Sequence, residues 1–412
     1  MSVSLTGAAQ VLRPPQDGLT HLRHDRAGEL RAEPGSVAVA GGRIAAFEPD
    51  AEADVSIDAR GCAVIPGLVD CHTHLPFAGW RAEEYEQKVT GVPYEEIARA
   101  GGGIKASARA LAAATDDRVI AQTFGLAAEM LTHGTTSFEC KSGYGLSVDA
   151  ELRALGLAER LDGVVPQATT STALLAHAVP EGRDADGWMD EIEAMLPRVG
   201  AETRATALDI YVESIGFTND HLRRMGALAA RHGLDLRAHV EQFNANRSVP
   251  VALELGARSV DHLSRLHPDD IAPLAAAECA AVLLPGAEHM GAEHTPPARA
   301  LADAGALCVL ATDANPGTSP IVSMPLIVGL AVRRYGWSVR EALLASTLNA
   351  AWVMRASRET GSLEIGKRGD VLLLDAPIEH VPYRFGHNPV AAVLVGGELA
   401  WVRGDAAWRV TR

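Results

Sequence analysis

Two histidines stand one residue apart in Cys71-His72-Thr73-His74, directly after the run Val64-Ile65-Pro66-Gly67-Leu68-Val69-Asp70. Side chains at i and i+2 of an extended segment point the same way, so these two imidazoles can meet at one metal ion. Further candidates stand at the ends of other short apolar runs: His239 in Arg237-Ala238-His239, His262 in Val260-Asp261-His262, and Asp313 in Ala311-Thr312-Asp313. A lone histidine is more often structural than a ligand, but several at successive run ends are hard to explain that way. His72, His74, His239 and Asp313 make an N/O ligand set that suits one divalent or trivalent ion per subunit, zinc or iron. Such an ion lowers the pKa of its water toward ~7 and supplies hydroxide as a nucleophile. Asp313 can take or relay the proton, and His262 can stabilise an oxyanion or act as an acid.

These residues need a frame that brings their run ends together. Eight β-like runs follow one another at 62–69, 135–140, 164–170, 206–212, 234–238, 259–260, 280–284 and 306–311. Most are short, apolar and β-branched, as buried parallel strands are. Alanine-rich helical stretches lie between them, at 117–131, 150–161, 220–232 and 267–277, with capping residues such as Ser147, Asp149 and Thr218. This alternation predicts the α/β class and a (β/α)8 TIM-like barrel over 66–359, with all the candidate ligands on its C-terminal face. The chain ends read differently. Runs at 36–39 and 43–47 flank Gly41-Gly42, and runs at 370–374, 392–395 and 399–402 surround Gly396-Gly397. Such hairpin signals predict that residues 1–65 and 360–412 pair into one small β-sandwich domain.

Bulk properties narrow the function. At 412 residues the chain holds one large unit and one small one. A net charge of -15 argues against nucleic acid or an anionic membrane surface as partner, and means that an anionic small-molecule substrate needs a local cation. No run approaches ~18 uncharged apolar residues, so no membrane span is expected. Five scattered cysteines, an odd number, argue against a disulfide framework and fit a reducing, cytoplasmic setting.

The H-x-H after Val64–Asp70 and the aspartate of the eighth strand resemble those of the amidohydrolase superfamily. More narrowly, the chain resembles the imidazolonepropionase family over nearly its whole length. The segments that carry this are 72–81 (His-Thr-His-Leu-Pro-Phe-Ala-Gly-Trp-Arg), 91–94 (Gly-Val-Pro-Tyr), 101–104 (Gly-Gly-Gly-Ile), 141–145 (Lys-Ser-Gly-Tyr-Gly), 176–178 (Ala-His-Ala) and 313–317 (Asp-Ala-Asn-Pro-Gly). The resemblance implies hydrolytic opening of 4-imidazolone-5-propanoate to N-formimidoyl-L-glutamate in histidine degradation, by a homodimer. It implies that Arg81 binds the propanoate, a role that suits a guanidinium fork. It implies substrate contacts for Tyr94, Tyr144, His177, Asn315, Gly317 and Thr318.

The chain also departs from that pattern. Three residues after the fifth-strand histidine, where many relatives carry a glutamate near the attacking water, stands Gln242. Glutamine can hydrogen-bond but cannot accept a proton. Gln242 is therefore expected to orient water or ring, leaving the base role to Asp313 or His262. Residues 244–248 replace a family Gly-Gly, and Glu288-His289-Met290 replaces an aromatic segment. His289 and His294 with Glu288 and Glu293 could hold a second ion, although an exposed polar loop is the plainer expectation. Glu213 reads equally as a ligand-side partner or a structural hydrogen-bonding group, and Lys141 as an ordinary lysine. The rival readings are a deaminase of an anionic heterocycle, and a non-catalytic scaffold; scaffolds usually lose ligands that this chain keeps.

Overall fold

The computed structural model describes residues 2–48, 53–291 and 294–411, without the side chains of Tyr94, Glu95 and Ala98. The Tyr94 side chain and Glu293 thus lie outside the described residues. Eight strands form one parallel sheet in chain order: β1 (Leu68–Asp70), β2 (Thr135–Lys141), β3 (Ala168–Ala176), β4 (Ala207–Val212), β5 (Asp235–Val240), β6 (Ser259–His262), β7 (Ala280–Leu283) and β8 (Leu307–Leu310). The sheet closes on itself just beyond the ends of β1 and β8. Thr73 bridges Ala314 in parallel, Asp313 N–H donates to the His72 carbonyl at 3.0 Å, and His74 N–H donates to the Ala314 carbonyl at 2.9 Å. The segments that close the ring are therefore those that carry the candidate ligands.

Helices cover the outside of the barrel, among them Asp116–Thr132, Val148–Glu159, Ala185–Glu202, Asn219–His232 and Met324–Tyr335. Their buried stripes (Leu222, Met225 and Leu228 of Asn219–His232, for example) pack on the strands. Each large apolar side chain so buried stabilises the fold by roughly 1.5–3 kcal/mol. Thr218 caps its helix through a capping box with His221, whereas Ser147 sits at an N-cap without a side-chain bond. The third strand differs from expectation. It begins at Ala168, not 164, because Val164 and Val165 close the preceding helix with hydrogen bonds to Leu161, and it continues to Ala176 beneath a shell of helices.

The expected run at 62–69 is split. Ala63–Pro66 belongs to the sheet of the chain ends, where it pairs with Ser2–Arg13 and Val371–Leu374, while Leu68–Asp70 starts the barrel. Gly67 makes the step between sheets: a Cβ there would come 2.0 Å from Thr136 Oγ1. The end sheet draws on both termini and has Ser2–Arg13 at its hub, a strand that no turn signal marks. Its two glycine hairpins interlock, Gly369 N–H donating to the Gly42 carbonyl at 2.8 Å and Gly397 N–H to the Gly369 carbonyl at 2.9 Å. A separate core of Val3, Leu5, Val37, Ile57, Leu373 and Leu394 fills it.

Candidate active site

His72 and His74 leave β1, His239 lies in β5, His262 ends β6, and Asp313 follows β8. The structure brings all five together. His74 Nε2 lies 3.2 Å and His72 Nε2 3.6 Å from Asp313 Oδ1, and the His72 and His239 ring centres are 4.6 Å apart. The backbone is held in the left-handed region at His262 (φ 81°) and Asp313 (φ 54°). Residues without glycine's freedom adopt such angles at a cost, and they concentrate at sites the surrounding fold over-determines.

Below the histidines lies a layer of buried charge that sequence reasoning missed. His72 Nδ1–H donates to Asp261 Oδ2 at 2.6 Å, and His239 Nδ1–H to Asp209 Oδ1 at 3.0 Å. Arg237 ties Asp261, at 2.9 Å, to Glu139 and to the Cys71 carbonyl; Lys141 ties Asp209, at 2.7 Å, to Glu139, at 3.0 Å. These bonds fix the tautomer, so the Nε2 atoms face the centre. Burial, then the neighbouring positive charges, holds His72 and His74 well below the usual imidazole range. They are therefore neutral, as ligands must be. Burial also raises Asp313.

This donor set fits a metal ion. His72 Nε2, His239 Nε2 and Asp313 Oδ1 are buried with no hydrogen-bond partner, although they converge. Groups of His72 with His239 and His262, and of His72 with His74 and Asp313, bring their ligand atoms close enough to share an ion. The buried carboxylates Glu139, Asp209, Asp261 and Asp313 outnumber the cations Lys141 and Arg237, and a divalent cation restores the balance. Among the described residues, no such grouping includes His289, His294 or Glu288. Glu288 instead accepts the Tyr335 hydroxyl, and Arg265 lies 2.6 Å from His294.

Above the centre opens a cleft lined by Arg81, Tyr144, His177, Tyr211, Gln242 and Asn315 among others. His177 stacks on His74 with ring centres 5.0 Å apart, and its Nδ1–H donates to the Gly143 carbonyl at 3.0 Å, which turns Nε2 toward the cleft. The loop carrying Tyr144 is organised by buried Glu151, which accepts the N–H groups of Gly143, Gly145 and Leu146 at 2.7–2.8 Å. Arg81 is fixed by its own backbone bond to the Pro316 carbonyl, 2.8 Å, and by Glu84, 3.6 Å away. Glu84 in turn accepts the Gly103 N–H at 3.1 Å, so the Gly-Gly-Gly-Ile turn is tied to the arginine. Gly317 leaves room for it: a Cβ there would stand 2.1 Å from Arg81 Nη2. Asn315 Oδ1 accepts the N–H groups of Gly317 and Thr318 at 2.9 and 2.7 Å, shaping the turn beside the cleft. Gln242 lines the cleft, while Glu213 stands behind it, clamping the Gln242 and Phe243 N–H groups at 2.8 and 2.9 Å. Tyr211 near the end of β4 and Phe243 just after β5 are wall residues with no signal in the sequence beyond those places.

The amidohydrolase family pattern matches residues 63–400, so the chain is a member of the amidohydrolase family. Its fold is that of solved structures such as a zinc-bound adenosine deaminase from Xanthomonas campestris (17% identical, TM-score 0.65, covering 97% of this chain and 93% of that one) and a triazine hydrolase variant (16%, TM-score 0.70, 97% and 94%). The imidazolonepropionase of Rubrobacter xylanophilus is 42% identical over 92% of this chain and 94% of its own length, and that of Caulobacter vibrioides 42% over 91% and 96%. Within the superfamily, then, the chain belongs to the imidazolonepropionases.

Proposed function

We propose that the chain hydrolyses 4-imidazolone-5-propanoate to N-formimidoyl-L-glutamate. The observation that carries this reading is a cleft with Arg81 on its wall and the His/Asp cluster at its floor, in a chain 42% identical to imidazolonepropionases along nearly its full length. Arg81 answers the charge problem, since it offers a carboxylate a fork inside a protein of net charge -15. Tyr144 and His177 hold the polar ring, His177 through Nε2. The ring carbonyl then faces His262, which burial keeps neutral with a pKa of about 3 and which stabilises the developing oxyanion.

His72, His74, His239 and Asp313 would hold one zinc or iron ion. When bound, the ion supplies Lewis acidity and a water acidic enough to attack at neutral pH. Gln242 orients that water or the ring, and Asp313 takes the proton at its carboxylate and passes it to the departing ring nitrogen. The reading extends to a homodimer in the cytoplasm; five free, buried cysteines support the reducing setting. The test follows the ultraviolet absorbance of imidazolonepropanoate with zinc- or iron-loaded protein. Its loss with matching formation of N-formimidoyl-L-glutamate supports the reading, and no turnover in a fully loaded sample overturns it.

A further inference from the structure

Hydrolysis changes the charge pattern of this substrate. Water's hydroxyl joins the ring carbonyl carbon, the C–N bond breaks, and the other proton goes to the released nitrogen. The new carboxylic acid ionises, so a monocarboxylate becomes a dicarboxylate. Arg81 serves the first of these groups, and the second needs a side-chain partner of its own.

A second cation stands beside the cleft. Lys88 and His262 line a hollow that shares Gln242, Phe243 and Thr318 with the substrate cleft. Lys88 also shares a smaller hollow with Arg81, Gly317 and Thr318. The two cations belong to one element: Arg81 is the N-cap of helix Ala82–Val89, and Lys88 lies seven positions on, close to two turns. They thus share a helix face, with their backbones about 10 Å apart along the axis. Lys88 is half-buried, and its ammonium makes no hydrogen bond or ion pair among the described residues. The first hollow's own acid, Glu288, is engaged elsewhere, by the Tyr335 hydroxyl and by Arg334 at 3.8 Å.

We infer that Lys88 is a product-binding residue: it receives the carboxylate created by ring opening, while Arg81 keeps the one the substrate brought. This rests on the hydrolytic reading above. A charge-assisted bond in a half-buried hollow is worth about tenfold or more in affinity. Calorimetry on the metal-loaded protein compares N-formimidoyl-L-glutamate with N-formimidoyl-4-aminobutyrate, which lacks only the new carboxylate. The wild type binds the dicarboxylate about tenfold more tightly or better, Lys88→Met brings the ratio close to one, and Lys88→Arg retains it. A ratio that Lys88→Met leaves unchanged overturns the assignment. Turnover of imidazolonepropanoate, measured on the same samples, separates the two claims: its absence sinks the hydrolytic reading, whereas turnover with an unchanged ratio sinks only the role of Lys88.

Discussion

Two of the three candidate ligand histidines are only as well placed as the carboxylates behind them. His72 leans on Asp261 and His239 on Asp209, and both acids are locked by Arg237 or Lys141. Asp209→Asn or Asp261→Asn keeps the shape but weakens the hold on the ring N–H. Metal titration is expected to show affinity lower by about 10- to 100-fold for each. Gly317 carries a second prediction. Alanine there would collide with the Arg81 guanidinium, so Gly317→Ala should raise KM about tenfold or more while the melting temperature moves little. The candidate ligands, which the structure gathers at one centre, were legible because histidine pairs at strand ends are rare without a task. Glu139, Asp209, Asp261 and Arg237 were not, because a single charged residue inside a short strand looks the same whether it faces solvent or the barrel interior.

Strands and connections set how much of this survives perturbation. The step at Gly67 passes the chain from the end sheet to the barrel against Thr136, and Gly67→Ala should destabilise by about 1–3 kcal/mol in denaturant unfolding. Sequence periodicity found all eight barrel strands but merged Ala63–Pro66 with Leu68–Asp70, since both are apolar and only the pairing partners separate them. It also set the third strand early, because Val164, Val165 and Pro166 look β-like while the chain there is still closing a helix. His24, in the turn His24–Glu29, packs on Trp337 with ring centres 4.2 Å apart and is held neutral by burial, its pKa lowered to about 4. Between about pH 6.5 and pH 4 the unfolded chain therefore binds a proton that the folded protein refuses. That contribution to stability is present above this window and is lost as pH falls through it. His24→Phe should make the unfolding midpoint less sensitive to pH across that window than in the wild type.

For the molecule as a whole, charge organises function. A chain of net charge -15 places Arg81 and Lys88 along one helix face at the mouth of a cleft, and gathers an excess of buried carboxylates under its floor. The first feature admits an anion, and the second calls for a metal cation. Both termini join in one sheet that meets the barrel at Gly67, so the ring of strands is anchored where it begins. The barrel and the composite end domain were legible from alternation and glycine turns, but Ser2–Arg13, the hub of the end sheet, was not, because its partners lie at both ends of the chain. The most direct test of the account is kcat/KM for imidazolonepropanoate with metal-loaded wild type and Arg81→Met. Turnover by the wild type and a fall of about 100-fold in the variant, carried mainly by KM, are expected when a bidentate carboxylate anchor is lost. Wild-type protein that leaves the substrate intact, or an Arg81→Met variant that matches it, would contradict the account.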